Sequence, residues 1–213
     1  EIEEKSALLK NLEQSAELKI GSDDFFTDTL VSLKDVSVFY GDKQVCSGVS
    51  FDVNKGHKIA LVGRNGCGKS SVLKLICGEN ITYTGTLIRS DRLKISYVSQ
   101  STDGLCGSLS EYAREKGIDE SLFKSILRKL DFKRSQFDID MNDFSGGQKK
   151  KVLIAASLCE KANLFIWDEP LNFIDVISRI QLESMLKSCD AAMIFVEHDV
   201  SFTENVATDI VHI

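Results

Sequence analysis

The chain has 213 residues, 43% of them hydrophobic and 27% charged, which is an ordinary balance for a globular protein with a sizeable core. The formal net charge of −6 excludes a protein whose whole surface binds nucleic acid, and no DNA partner is expected, although a local basic patch could contact RNA. No apolar run approaches the roughly 20 residues that span a bilayer, and no secretory signal is visible, so membrane insertion is not expected.

Residues 1 to about 20 carry a helical pattern, because Leu8, Leu12, Ala16 and Ile20 recur every four residues among Glu and Lys. A turn-forming segment then follows at residues 21–24. A lone amphipathic helix of this length needs a partner to be stable. Two alternatives remain open: the helix folds onto its own domain, or it is one arm of a helical hairpin.

Short apolar strands alternate with helical patterns from residue 29 onwards. This alternation predicts an α/β domain with a largely parallel sheet. Strands are predicted over residues 30–39, 49–53, 59–62, 86–88, 95–98, 164–167 and 193–196, and helical spacing covers residues 70–77, 108–134, 147–159 and 176–187.

The cysteines are scattered, with no C-x-x-C pair and no nearby His at zinc spacing. Disulfides and metal clusters are therefore disfavoured, and free thiols in a reducing cytoplasm are expected. The six are Cys46, Cys67, Cys77, Cys106, Cys159 and Cys189.

The segment between the third predicted strand and the following helix fits the P-loop pattern G-x-x-x-x-G-K-[ST]. Its glycines let backbone N–H groups and the helix N-terminus reach phosphate oxygens. Lys69 is expected to reach the β- and γ-phosphates, and Ser70 to hold Mg²⁺ through its hydroxyl. The residues assigned to the nucleotide here are Gly63, Arg64, Asn65, Gly66, Cys67, Gly68, Lys69, Ser70 and the adjoining Ser71.

A second polar site is predicted where the apolar strand at residues 164–167 ends in Asp168 and Glu169. The carboxyl edge of a parallel sheet is where α/β proteins bind ligands. Asp168 is expected to bind Mg²⁺, mostly through water, and Glu169 to orient and polarise an attacking water. Trp167, one residue earlier, is expected in the core.

Ser145, Gly146, Gly147 and Gln148 form a further glycine-containing loop before a predicted helix, and we call it the signature loop. One P-loop already serves this domain's own phosphates, so a second anion-binding helix start suggests contact with a nucleotide held by another domain. At this point residues 29–213 resemble the ATP-binding cassette superfamily, whose signature is a Ser-Gly-Gly-Gln loop and whose motifs occur here in the family's order.

The resemblance implies a P-loop NTPase cassette with a RecA-like parallel-sheet core, an antiparallel β subdomain and an α-helical subdomain at about residues 101–143. It makes Tyr40 the aromatic that stacks on adenine, Gln100 a contact to Mg²⁺ and water, and His198 a contact to the γ-phosphate. Asp175 resembles the aspartate that communicates across a dimer. The implied catalytic residues are Glu169, His198 and Gln100, and the implied metal ligands are Ser70, Gln100 and Asp168.

The resemblance also implies a companion cassette. Two cassettes close head to tail, so that the signature loop serves the companion's ATP and the isolated domain binds ATP but hydrolyses it slowly.

Three features are similar to the second cassette of ABC-F proteins, most of all the Lsa-type group that protects ribosomes from antibiotics. They are residues 170–175 (PLNFID), the segments 147–152 and 196–199, and the charged helix before residue 25, which would be the last helix (residues 1–24) of an inter-domain linker preceding a cassette at 25–213. The ribosome is then the expected partner. The family's signature usually opens with Leu, and this chain has Phe144 at that position.

A transporter ATPase is the main alternative. A degenerate, non-hydrolysing cassette is disfavoured because Lys69, Asp168, Glu169 and His198 are intact.

The signature loop is followed by Lys149, Lys150 and Lys151, for which contact with rRNA is one interpretation. Three successive residues of a helix face different directions, so a solvated helix surface is the favoured interpretation.

Overall fold

A five-stranded parallel sheet lies at the centre of residues 28–213, the part of the chain that this computed structural model describes. The predicted helix over residues 1–20 lies outside the described residues. The strand order is β5-β6-β7-β3-β8, and all four neighbouring pairs in this order are parallel. The strands are β3 (Lys58–Val62), β5 (Ile95–Val98), β6 (Leu164–Asp168), β7 (Ala192–Val196) and β8 (Asp209–His212).

A three-stranded antiparallel sheet of order β2-β1-β4 packs beside it. Its strands are β1 (Thr29–Tyr40), β2 (Lys43–Asn54) and β4 (Thr82–Arg89). β2 and β4 are longer than the predicted strands at 49–53 and 86–88. The reason is that β1 lies between them and forms backbone hydrogen bonds even with residues whose side chains are exposed.

Within residues 28–213, six helices connect the strands: α1 (Lys69–Cys77), α2 (Leu109–Lys116), α3 (Glu120–Lys129), α4 (Gly146–Cys159), α5 (Val176–Lys187) and α6 (Val200–Val206), with 3₁₀ turns at Arg134–Gln136 and Met141–Asp143. The predicted helical stretch at 108–134 is two helices, since Gly117 ends α2 in a left-handed conformation and Asp119 caps α3. None of the helices within residues 28–213 combines the length and apolar character needed to cross a membrane.

The central strands β6 and β7 of the parallel sheet are buried on both faces, which explains why they are continuous apolar runs. Phe165 and Trp167 face a cluster formed with α2 to α6, whereas Leu164 and Ile166 face α1 and the antiparallel sheet. Trp167 is fully buried, as predicted, and its Nε1 donates to Ser157 Oγ at 2.9 Å. This packing on both sides fixes the ends of the central strands.

Candidate functional site

Four polar segments meet at the carboxyl edge of the parallel sheet. β3 leads into the P-loop, β5 into Gln100, β6 into Glu169 and β7 into His198. Parallel strands place such ends side by side. The Glu169 N–H donates to the carbonyl of Val196 at 3.0 Å, which continues the ladder between β6 and β7 by one residue.

The P-loop wraps tightly at the start of α1. Gly68 caps the helix at φ 97°, and a Cβ there would lie 3.1 Å from the carbonyl oxygen of Val45. A side chain is therefore opposed both by backbone strain and by the neighbouring strand β2. The Lys69 ammonium donates to the carbonyls of Gly63 at 2.9 Å and Arg64 at 3.0 Å.

A pocket of about 390 Å³ brings the P-loop together with two of the predicted catalytic residues. Val45, which the sequence did not single out, closes one side from β2. Tyr40 does not line the pocket; it is half-exposed at the end of β1, where it pairs with Lys43. The lining residues are Val45, Asn65, Gly66, Gly68, Lys69, Ser70, Ser71, Gln100 and Glu169.

Glu169 is the centre of a polar cluster at the edge of this pocket. Its Oε2 accepts from Gln100 Nε2 at 2.8 Å and from Asn172 Nδ2 at 2.5 Å. Its Oε1 lies 3.7 Å from His198 Nε2. The three predicted catalytic residues therefore meet. Asn172 was missed by the sequence analysis, although its position three residues after Glu169 in a turn was a usable signal.

Glu197 is a second residue that the sequence analysis missed. It is buried, and its carboxylate accepts the backbone N–H of Leu171 at 3.0 Å and that of His198 at 2.8 Å. This carboxylate ties the turn after Glu169 to the turn after β7. The signal was a carboxyl group at the end of an otherwise apolar strand, immediately before His198.

Asp168 has the surroundings of a cation ligand. It is 3% exposed, and its Oδ1 has no hydrogen-bond partner among the described residues. Burial raises the pKa of this carboxyl group, and the hydrogen bond with Ser70 opposes the rise. A buried carboxylate oxygen beside a hydroxyl offers the hard oxygen ligands that Mg²⁺ prefers, so these residues fit the ion that the sequence implied.

The signature loop lies apart from the pocket, since none of residues 145–148 lines it. Ser145 caps α4: its Oγ accepts from the Gln148 N–H at 3.3 Å, and the Gln148 side chain accepts from the Ser145 N–H at 2.7 Å. This reciprocal pair fixes the loop and leaves the first N–H groups of α4 available to an anion.

Gly146 and Gly147 differ sharply in the space around them. A Cβ on Gly147 would lie 2.4 Å from the carbonyl oxygen of Phe173, whereas one on Gly146 would make ordinary contact with the Phe173 ring at 3.5 Å. We expect Gly147→Ala to lower the free energy of unfolding by about 1–3 kcal/mol. Gly146→Ala should leave it unchanged or slightly higher, because alanine favours the helix. Urea unfolding of both variants measures the difference, and equal effects would contradict this geometry.

The favoured interpretation of the lysines after the signature loop as a solvated surface is wrong for two of the three. Lys150 is fully buried, and burial lowers its pKa to about 8. Lys151 is also buried, and its ammonium lies 2.6 Å from Asp175 Oδ2. Burial raises the pKa of Asp175, but hydrogen bonds from Lys151 and Ser178 lower it to about 2. Neither buried lysine can contact RNA in this conformation.

Comparisons with known proteins agree on one family. The family described as ABC transporter matches residues 46–172. ATP-binding protein Uup of Buchnera aphidicola (from Acyrthosiphon pisum) is 30% identical over 207 residues, which cover 93% of this chain and 35% of the relative. Uup of Caulobacter vibrioides is 28% identical over 188 residues, covering 84% and 31%. The chain thus spans about a third of the length of these relatives.

Zinc import ATP-binding protein ZnuC of Photobacterium profundum is 31% identical over 190 residues, which cover 84% of this chain and 74% of the relative. The solved ATP-binding subunit of an ABC transporter matches with a TM-score of 0.71 at 25% identity, covering 87% of this chain and 86% of that one. A bacterial ABC transporter cassette with a dimeric structure matches with a TM-score of 0.73 at 19% identity, covering 86% and 94%. The fold and the family match together show that the chain belongs to the ABC transporter family, as one of its ATP-binding cassettes.

Proposed function

We propose that this chain is the Mg-ATP-hydrolysing cassette of a cytoplasmic ABC-F ATPase that acts on the ribosome. The observation that carries the hydrolytic part is the cluster around Glu169. Gln100, Asn172 and His198 hold this carboxylate at the edge of the P-loop pocket, beside the buried carboxylate of Asp168. That arrangement suits a general base that orients water next to a bound phosphate.

Each side chain then has a role that its position permits. Lys69 would exchange its two loop carbonyls for phosphate oxygens, and Ser70, Asp168 and Gln100 would hold the cation. Bound Mg²⁺ would neutralise charge on the phosphates during transfer. Glu169 accepts a proton from the attacking water, and His198 donates toward the γ-phosphate. Tyr40 stacks on adenine from its exposed position at the end of β1. The P-loop residues assigned to the phosphates are Gly63, Arg64, Asn65, Gly66, Cys67, Gly68 and Ser71.

The signature loop serves the ATP of a companion cassette. Its separation from this chain's own pocket supports that role, as does the dimeric structure of one similar cassette. Asp175 lies on the same side of the domain, because it caps α5 two residues after Phe173, which lies against both signature glycines. A single cassette would lack the hydrogen-bond donors that the companion's signature loop supplies to its ATP, so an isolated cassette should hydrolyse ATP slowly.

The ABC-F assignment is supported by the two Uup relatives and by residues 170–175, in which Asn172 contacts Glu169 directly. Because the chain spans about a third of Uup, a second cassette and a linker ending at residues 1–24 fit the remaining length. The Lsa-like features of residues 147–152 and 170–175 favour ribosome protection against antibiotics.

A transporter ATPase is the second candidate function. The observation that favours it is the similarity to ZnuC, which is as high as that to Uup and covers 74% of the relative's length. In that case the helices between Gln100 and Ser145 would contact a membrane subunit.

Co-sedimentation with ribosomes separates the two candidates. The intact protein carries Glu169→Gln, together with the equivalent change in its other cassette, so that ATP binds but hydrolysis stalls. We expect it to sediment with ribosomes in the presence of ATP and not in its absence. A Lys69→Met form, which should not bind ATP, is the control. A trapped protein that remains in the supernatant with ATP would contradict the ribosome as partner and favour the transporter.

A further inference from the structure

Lys150 is a charged side chain buried where charge is costly. It lies on α4, two residues after the signature loop ends, and is 0% exposed. A buried ammonium is tolerated only when its donors are satisfied. Here the three N–H groups find three carbonyl oxygens, at 2.8 Å for Ser99, 3.3 Å for Asp168 and 3.4 Å for Gln100.

These three carbonyls belong to the ends of two neighbouring strands. β5 and β6 pair in parallel up to Val98 and Trp167, and their ladder stops there. Immediately beyond that point, the Lys150 ammonium bridges the two backbone segments by donating to the carbonyls of Ser99 and Asp168. The side chains that leave the bridged segments, Gln100 and Glu169, then meet at 2.8 Å. One side chain of α4 therefore fixes the backbone on both sides of this contact.

The same helix carries the signature loop at its first turn, and that loop is rigid because Ser145 and Gln148 cap each other. A displacement of the loop must move α4, and a displacement of α4 must move the Lys150 ammonium. Lys151 makes a second link from this helix, to Asp175, but the carboxylate of that pair is half-exposed. The buried link is the stiffer one, because close-packed interiors transmit small shifts.

We propose that Lys150 is a positioning residue that couples the signature loop to the pair formed by Gln100 and Glu169. Engagement of the signature loop by a phosphate of the companion's ATP shifts α4, and the ammonium carries that shift to the carbonyls of Ser99, Gln100 and Asp168. The two nucleotide sites of a cassette pair thereby sense each other through the interior of one cassette. This proposal rests on the hydrolytic function proposed above.

The test compares Lys150→Met with Lys149→Met in the intact protein. Methionine keeps an unbranched stem but removes the donors and the charge, and Lys149 is the adjacent, partly exposed lysine of the same helix. Hydrogen exchange without nucleotide is the first readout. We expect Lys150→Met to speed amide exchange at least about fivefold in the segments 97–101 and 166–172. Lys149→Met should leave both segments unchanged.

Steady-state hydrolysis is the second readout. Lys150→Met should lower kcat about 10-fold or more, with the Kd for ATP changed less than about threefold and the half-saturating Mg²⁺ concentration raised. Lys150→Arg, which keeps donors and charge, should recover part of kcat, and Lys150→Gln, which loses the charge and the reach of the ammonium, replaces the methionine form in both readouts if that form does not fold. Unchanged exchange, or a kcat loss matching the unfolded fraction, overturns the proposal. A wild-type protein without ATPase activity would contradict the proposed function, while the exchange readout would still decide the role of Lys150.

Discussion

Glu169→Gln is expected to lower the rate of ATP hydrolysis by at least about 100-fold while ATP still binds. Glutamine keeps the size of the side chain and one carbonyl oxygen, so it can still accept from Gln100 or Asn172. What it loses is the ability to take a proton from water. Because Glu169 lies at the edge of the pocket and the phosphate contacts are expected from the P-loop, the Kd for ATP should change less than about threefold.

The measurement is phosphate release at saturating ATP, combined with binding of a fluorescent ATP analogue. Glu204→Gln makes the same chemical change on the exposed surface of α6 and should retain wild-type activity. Retention of more than a tenth of the wild-type rate in Glu169→Gln would show that this carboxylate is not the general base. Loss of ATP binding would instead indicate a structural role.

The sequence predicts an element well when the interactions that form it lie between residues close together in the chain. β6 was predictable because an apolar strand buried on both faces is a continuous local run. The P-loop was predictable because the tight turn at Gly68 and the start of α1 are encoded within eight residues. The division of the stretch 108–134 into two helices is also encoded locally, by Gly117 and Asp119.

The elements that the sequence did not predict depend on distant partners. β8 is largely exposed and, among the described strands, pairs with β3 alone, so its tertiary ladder is what makes it a strand. α6 has seven residues, too few to form a stable helix alone, and it packs the ring of Phe202 edge-on against Phe195 of β7.

The polar network of the site shows the same limit. Lys150 looked like part of a solvated lysine run because its three acceptors are 18 to 51 residues away in the chain. Glu197 similarly acts on Leu171, 26 residues away. Pattern and spacing locate groups that face a ligand, because a ligand constrains residue type locally. They do not locate buried groups that join two such segments, because nothing near them in the chain records the partner.

Lys69→Met is expected to weaken ATP binding at least about 100-fold and to reduce hydrolysis to background. The Lys69 ammonium is buried, and in the described structure it donates only to the carbonyls of Gly63 and Arg64. Charge-assisted hydrogen bonds to phosphate are each worth about 1.5–3 kcal/mol, so the loss of two corresponds to roughly this factor. Methionine keeps most of the stem and should disturb the packing of α1 little.

The measurement is the Kd for ATP by calorimetry, with the unfolding temperature determined in parallel. Lys34→Met removes the same charge from an exposed position on β1 and should bind ATP as the wild type does. If Lys69→Met binds ATP within threefold of the wild type, the pocket at the start of α1 does not hold the phosphates. If instead binding and unfolding temperature fall together, Lys69 acts mainly by closing the loop through Gly63 and Arg64, and the phosphates depend on the backbone N–H groups alone.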